Sequence, residues 1–412
     1  MIRNTSLIWA GVLAATGAAC TPSPPPAPPR VLSAAKVLSA ATCAVGSPNF
    51  LDHVQFAPNG LPPPSADAET LPALRLRPDT TPPVPVPSKY TQALQNAFQL
   101  APTAFQDRLC GLTGIYINGP VPNKLPAGTS SKLADSTDAA WGFRVWHLFA
   151  PYETYIAIPA ALWDLACADG TKPYIYHCFE TDLLRTVVTW PNSPPPGSPP
   201  PPQYSSANAG ADNFDMTILA ALAHEVGHVQ WYQTMAPHRP GNSIFGYDPS
   251  GFLCADSPGP RSFFSYSWAS AIATPPPWRS FSTKDVRKVA TGDLHLLPPP
   301  IADIDSDIDH DNPTSLKSAT DNIGQLYQRA QPWATYFAAV SADEDFVETY
   351  KLYILTNAQT ITDPNNNQPE GRLTSLPIVL NGHYHDIPYD YLAQPTKKPV
   401  LFTKVKCIAP VI

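Results

Sequence analysis

The apolar positions between residues 114 and 159 come in short β-branched and aromatic runs. They are Gly114-Ile115-Tyr116-Ile117-Asn118, Trp141-Gly142-Phe143-Arg144-Val145-Trp146 and Thr154-Tyr155-Ile156-Ala157-Ile158-Pro159, each bounded by Gly or Pro. Such runs predict strands of a small sheet. From Asp212 to Met235 the apolar spacing changes to the helical period and is stopped by Pro237, which predicts one long helix. Similar spacing predicts helices over 315–329 and about 342–356. The predicted order is strands, a long helix, then mainly helices, which is an α+β arrangement.

Proline interrupts this pattern. The chain has 412 residues, 43% hydrophobic and 14% charged, with 52 prolines. So apolar a chain is not wholly disordered, and so many prolines exclude long bundles and coiled coils. Residues 20–42 read as a stiff Pro-rich linker, while Pro82–Pro87, Pro194–Pro202, Pro275–Pro277 and Pro298–Pro300 read as surface insertions. Residues 43–412 then form one catalytic domain, strand-containing to about 236 and mainly helical after it. Twenty-six basic against thirty-three acidic residues give a net charge of -7. That balance leaves no broad cationic surface, so no nucleic acid partner is expected.

Residues 1–19 have the layout of an export signal: Arg3, an apolar stretch from Leu7, then small residues up to Cys20. The apolar stretch is too short to span a membrane. Gly17-Ala18-Ala19-Cys20 also resembles a bacterial lipoprotein signal, so the chain is expected at the cell envelope through a lipidated Cys20, or free in the periplasm or medium. Without Cys20 an even set remains: Cys43, Cys110, Cys167, Cys178, Cys254 and Cys407. In an oxidising compartment these predict up to three disulfides, with Cys167 and Cys178 the easiest pair.

The chemistry is concentrated on the long helix, which carries His224-Glu225-Val226-Gly227-His228. A spacing of four puts both imidazoles on one face, with Glu225 one step along. Ile218, Leu222, Val226 and Val229 form a packing stripe opposite. Small residues at Thr217, Ala220 and Ala221 precede the histidines, so their face is expected to stay open. Two neutral imidazoles suit Zn²⁺, and the neighbouring carboxylate can reach a metal-bound water without binding the metal.

A catalytic zinc needs a third protein ligand. The metzincin continuation is excluded, because Trp231 and Thr234 stand where glycine and histidine would be required. His238 follows in a loop at a spacing that fits no known layout. Glutamate is scarce, yet two of the seven, Glu344 and Glu348, lie four apart on one predicted helix. Glu344 is the expected third ligand, with Asp343 or Asp345 as the fallback, and Glu348 is expected to orient a ligand histidine. Ser341-Ala342-Asp343-Glu344 also reads as a capping box, in which Glu344 would only satisfy the first turn.

With these residues in place, the chain resembles the gluzincin zinc metallopeptidases, and within them the catalytic domain of anthrax lethal factor and related bacterial secreted proteins. The likeness covers the two motif helices and extends toward the preceding strands. It implies a zincin-like fold with His224, His228 and Glu344 on zinc, Glu225 as general base and Glu348 supporting the site. It also implies an oxyanion-stabilising tyrosine shortly before the third ligand. Tyr336 is the nearest candidate, one residue further from Glu344 than the family offset. The implied activity is peptide-bond hydrolysis by an exported monomer acting on a protein or peptide substrate. That substrate would lie along a sheet edge, for which Thr154–Ile158 is the expected strand. The rival class is a non-catalytic surface lipoprotein whose zinc is structural.

Two weaker signals remain. Asp303–Asp311 supplies carboxylates at alternate positions that could wrap Ca²⁺, although a solvated acidic loop explains them as well. His383-Tyr384-His385-Asp386 could chelate a metal from outside any predicted element.

Overall fold

The computed structural model describes residues 43, 49–60, 84–119, 140–145, 153–167, 170, 173–187, 194–200, 203–204, 212–235, 253–254, 261–267, 309, 311–326, 333–335, 337–339, 342–362, 369–371, 373, 375–380, 383–388 and 399–412. In chain order the elements begin with β1 (Val54–Ala57), α1 (Ser88–Leu100), α2 (Thr103–Cys110), β2 (Gly114–Asn118), β3 (Trp141–Val145), β4 (Glu153–Pro159) and α3 (Tyr176–Val187). They continue with β5 (Gln203–Tyr204), α4 (Phe214–Met235), β6 (Leu253–Cys254), β7 (Arg261–Ser262), α5 (Pro313–Leu326) and α6 (Ala342–Thr356). The last are β8 (Thr360–Thr362), β9 (Pro369–Gly371), β10 (Ser375–Leu380), β11 (His383–Pro388) and α7 (Pro399–Ile408). The fold is therefore α+β, as the apolar pattern implies. Helices α1 and α2 lie in sequence between β1 and β2 of the main sheet, α3 stands between β4 and α4, and short strands follow α6.

The main sheet has the order β1-β2-β4-β3, with β1, β2 and β4 parallel and β3 antiparallel to β4. This corrects the expected substrate edge. Thr154–Ile158 lies in β4, hydrogen-bonded to β2 on one side and β3 on the other, so its own edges are occupied. Among the described residues β3 and β1 are the outer strands, and β1 carries an isolated bridge from Phe56 to Val84.

Helix α4 lies against β3 and β4 and packs between α1, α3 and α6. Its start is set by capping: Asn213 Oδ1 accepts the Met216 N–H at 2.9 Å. Asp212, the expected first residue, instead caps α3 by accepting the backbone N–H groups of Tyr176 (3.0 Å) and His177 (2.8 Å).

The helix is buried on every side from Met216 to Val226, so the histidine face is not open as expected. Its small residues allow close helix approach instead of exposure. At Gly227 an added Cβ would stand 3.1 Å from Val347 Cγ1 of α6. Strand β3 comes closer still, because a Cβ on Gly142 would stand 2.0 Å from the Glu225 carbonyl oxygen.

Among the described residues three disulfides join segments at the core: Cys43–Cys110, Cys167–Cys178 and Cys254–Cys407. The first anchors the N-terminal end of the described chain to α2, and the third joins β6 to α7. Among the described residues no helix is long and apolar enough to cross a membrane.

Candidate metal centre

The helical period places His224 and His228 one turn apart, and their Nε2 atoms converge to 3.3 Å. Glu344, in the first turn of α6, fills the remaining corner. Its Oε2 is 3.6 Å from His224 Nε2 and its Oε1 is 3.6 Å from His228 Nε2. One ligand atom from each residue falls within 4.8 Å of the other two, a group that could hold a metal ion. Glu344 is fully buried and His224 nearly so, whereas the His228 side chain is 13% exposed, so access lies on the His228 side.

The carboxylate of Glu344 thus faces the imidazoles, which favours the ligand reading of this residue over the capping one. Its neighbour Asp345 points elsewhere, into a fully buried ion pair with Lys404 of α7 that also draws in Ser267. This removes Asp345 as fallback ligand. The side chain of Asp343 is outside the described set.

A second layer fixes the first. Glu348, one turn beyond Glu344, accepts the His224 Nδ1–H on Oε1 at 2.7 Å. That bond keeps the proton on Nδ1 and leaves the Nε2 lone pair for a metal. Glu348 Oε2 accepts the Thr335 hydroxyl and lies 2.7 Å from Lys351 Nζ, which in turn pairs with Glu180 of α3. The Phe337 ring packs 5.6 Å from the His224 ring. Lys351, Glu180 and Thr335 were not found from sequence. The available signal was a lone lysine in the apolar run Tyr350-Lys351-Leu352-Tyr353-Ile354-Leu355.

The electrostatics suit metal ligation. Burial lowers His228 well below its ordinary value, and the neighbouring His224 adds to this, so its imidazole stays neutral. Burial alone would raise Glu348, but the Lys351 ammonium and the His224 hydrogen bond hold it down to about 2. Glu225 behaves differently. Burial, and then the charge of Glu348, push its carboxyl well above the usual range, and its buried Oε1 has no hydrogen-bond partner among the described residues. A raised carboxyl pKa at a buried position marks Glu225 as a candidate proton-transfer group.

Several expected features fall outside the described residues: Tyr336, Cys20 with the leader and linker, His238, and the acidic run apart from Asp309 and Asp311. Those two make local bonds before α5, where the Asp311 N–H donates to Asp309 Oδ1 at 3.1 Å and the Asp309 N–H to Ser315 Oγ at 2.8 Å. His383 and His385 lie on β11, a defined strand, and their side chains are not described. No family model, curated protein or solved structure matches this chain.

Proposed function

We propose that the chain is an exported zinc metallopeptidase with a zincin-like catalytic domain, hydrolysing peptide bonds with Glu225 as general base. The observation that carries this is the His224–His228–Glu344 triangle. A tetrahedral zinc with bonds of about 2.0–2.1 Å needs ligand atoms about 3.3–3.4 Å apart; here the two Nε2 atoms are 3.3 Å apart and each has one Glu344 oxygen at 3.6 Å, Oε2 for His224 and Oε1 for His228. Among the described residues no fourth His, Cys, Asp or Glu joins the group, which fits a catalytic site with one open position.

When bound, zinc supplies a Lewis acid that brings the pKa of a coordinated water to about 7. The chain's own residues supply the rest. Glu225 Oε1 takes a proton from the attacking water and later returns it to the leaving amine, from a position one step along the helix from His224. His224 and His228 stay neutral and aligned, the former through Glu348. His224, Glu225 and Glu344 are buried, while the set opens on the His228 side, where substrate and water enter.

Export is supported by the three disulfides, which persist in oxidising compartments. The test is hydrolysis of a quenched fluorescent peptide library by purified protein. Cleavage is expected to vanish with a chelator, return with zinc, and be lost in Glu225→Gln with zinc still bound. A zinc-loaded wild type that cleaves nothing, or a Glu225→Gln variant as active as wild type, refutes the assignment.

A further inference from the structure

We infer that Lys351, held by Glu180, is a positioning residue for the metal centre, acting through Glu348; this rests on the metallopeptidase reading. Three donors meet at one carboxylate. Glu348 on α6 presents Oε1 to His224 at 2.7 Å, while Oε2 takes the Lys351 ammonium at 2.7 Å and the Thr335 hydroxyl. The two oxygens therefore have separate duties, and the torsion that aims Oε1 at Nδ1 is set by the donors on Oε2. Lys351 lies on the same helix, three residues on, and its position is fixed by Glu180 of α3.

The side chains of Lys351, Glu180 and Glu348 are between 0% and 3% exposed. Burying this set is costly, and apolar replacements of similar volume are often as stable, so stability alone is a poor reason for it. Orientation is a better one. An imidazole whose Nδ1 partner swings away loses both its tautomer and its ring angle, and partners of this kind typically carry about 10–100-fold in metal affinity. Without Lys351, the Glu180 and Glu348 carboxylates would also face each other with no cation between them, and their repulsion would pull Glu348 off its bond to His224.

The experiment compares wild type with Lys351→Met, Glu180→Gln and the double variant, each as the full exported chain. Zinc affinity is read by competition with a chromophoric chelator, and ligand geometry by the visible spectrum of the Co²⁺-substituted protein. Thermal unfolding of the metal-free forms reports folding separately. Lys351→Met is expected to weaken zinc binding about tenfold or more and to alter the cobalt bands while remaining folded. Glu180→Gln should shift both readouts in the same direction, and the double variant, free of the carboxylate clash, should bind more tightly than Lys351→Met. Affinity and cobalt bands unchanged in folded Lys351→Met overturn the inference. If that variant does not fold, unchanged values in Glu180→Gln overturn it. A wild type that binds no zinc fails earlier and removes the metal centre itself.

Discussion

Adding a single methyl group at Gly142 is expected to disable the site from outside its list of ligands. The Cβ of an alanine there would lie 2.0 Å from the Glu225 carbonyl oxygen, 2.9 Å from its carbonyl carbon and 3.1 Å from His228 Cβ. Cβ atoms essentially never come within 3.0 Å of such neighbours, so β3 and α4 must separate by at least about 1 Å. The obstructing atoms belong to helix backbone and to a Cβ, with no flexible side-chain end that could step aside. Overpacking of this kind costs about 1–3 kcal/mol. The larger consequence is functional, because Glu225 and His228 ride on the displaced turn, and a shift of about 1 Å at reacting groups can lower a rate about 100-fold. The assay is peptide-library hydrolysis together with thermal unfolding of the zinc-free protein. Gly142→Ala is expected to melt at a lower temperature and to lose activity by about two orders of magnitude. Wild-type melting and wild-type rate in this variant would refute the close packing of β3 on α4.

Other outcomes follow from the same geometry. In the metal-free protein Glu225 has a folded pKa above its ordinary 4.5, so the folded state holds the proton longer than the unfolded state and stability falls as pH rises from 4.5 toward the folded value. Glu225→Gln lacks this loss; it should match wild type below pH 4.5 and be the more stable of the two near neutrality in urea unfolding. For the disulfides, loops of 11, 67 and 153 residues give chain-entropy contributions of about 3, 4 and 5 kcal/mol. Paired Cys→Ala variants should therefore lose stability least at Cys167–Cys178 and most at Cys254–Cys407. At the buried Asp345–Lys404 pair, Lys404→Met should cost about 3–5 kcal/mol and the double change with Asp345→Asn distinctly less, as a double-mutant cycle in urea would show.

Local signals in the sequence located most of what surrounds the site. Strands β2, β3 and β4 and helices α4 and α6 begin and end within a residue or two of their expected limits, because β-branched runs, Gly and Pro punctuation and the helical period are all local. The same locality puts His224, Glu225 and His228 on one helix and Glu344 and Glu348 on another. Helix α1 was legible in principle, since Tyr90, Ala93, Leu94, Ala97 and Phe98 follow the helical period and are buried. Interleaved glutamine and asparagine between two prolines obscured it.

Strand order was not legible, because nothing in Thr154–Ile158 reveals that β3 covers its side. Small residues at Thr217, Ala220 and Ala221 suggested an open face, yet all three are buried, and Thr217 Oγ1 donates to the Tyr174 carbonyl at 2.8 Å. The Glu180–Lys351 contact spans 171 residues of chain and could only emerge once α3 and α6 were side by side. Disulfide pairing had the same difficulty, apart from the local pair Cys167–Cys178.

The central claim is that His224, His228 and Glu344 hold one catalytic zinc. Anomalous X-ray scattering collected on either side of the zinc absorption edge, from crystals of protein purified without added chelator, tests it most directly. The account predicts a single edge-dependent peak among the two Nε2 atoms and the Glu344 carboxylate, with a non-protein fourth ligand. A peak elsewhere, no peak in protein loaded with zinc, or a fourth ligand from the protein itself would contradict it.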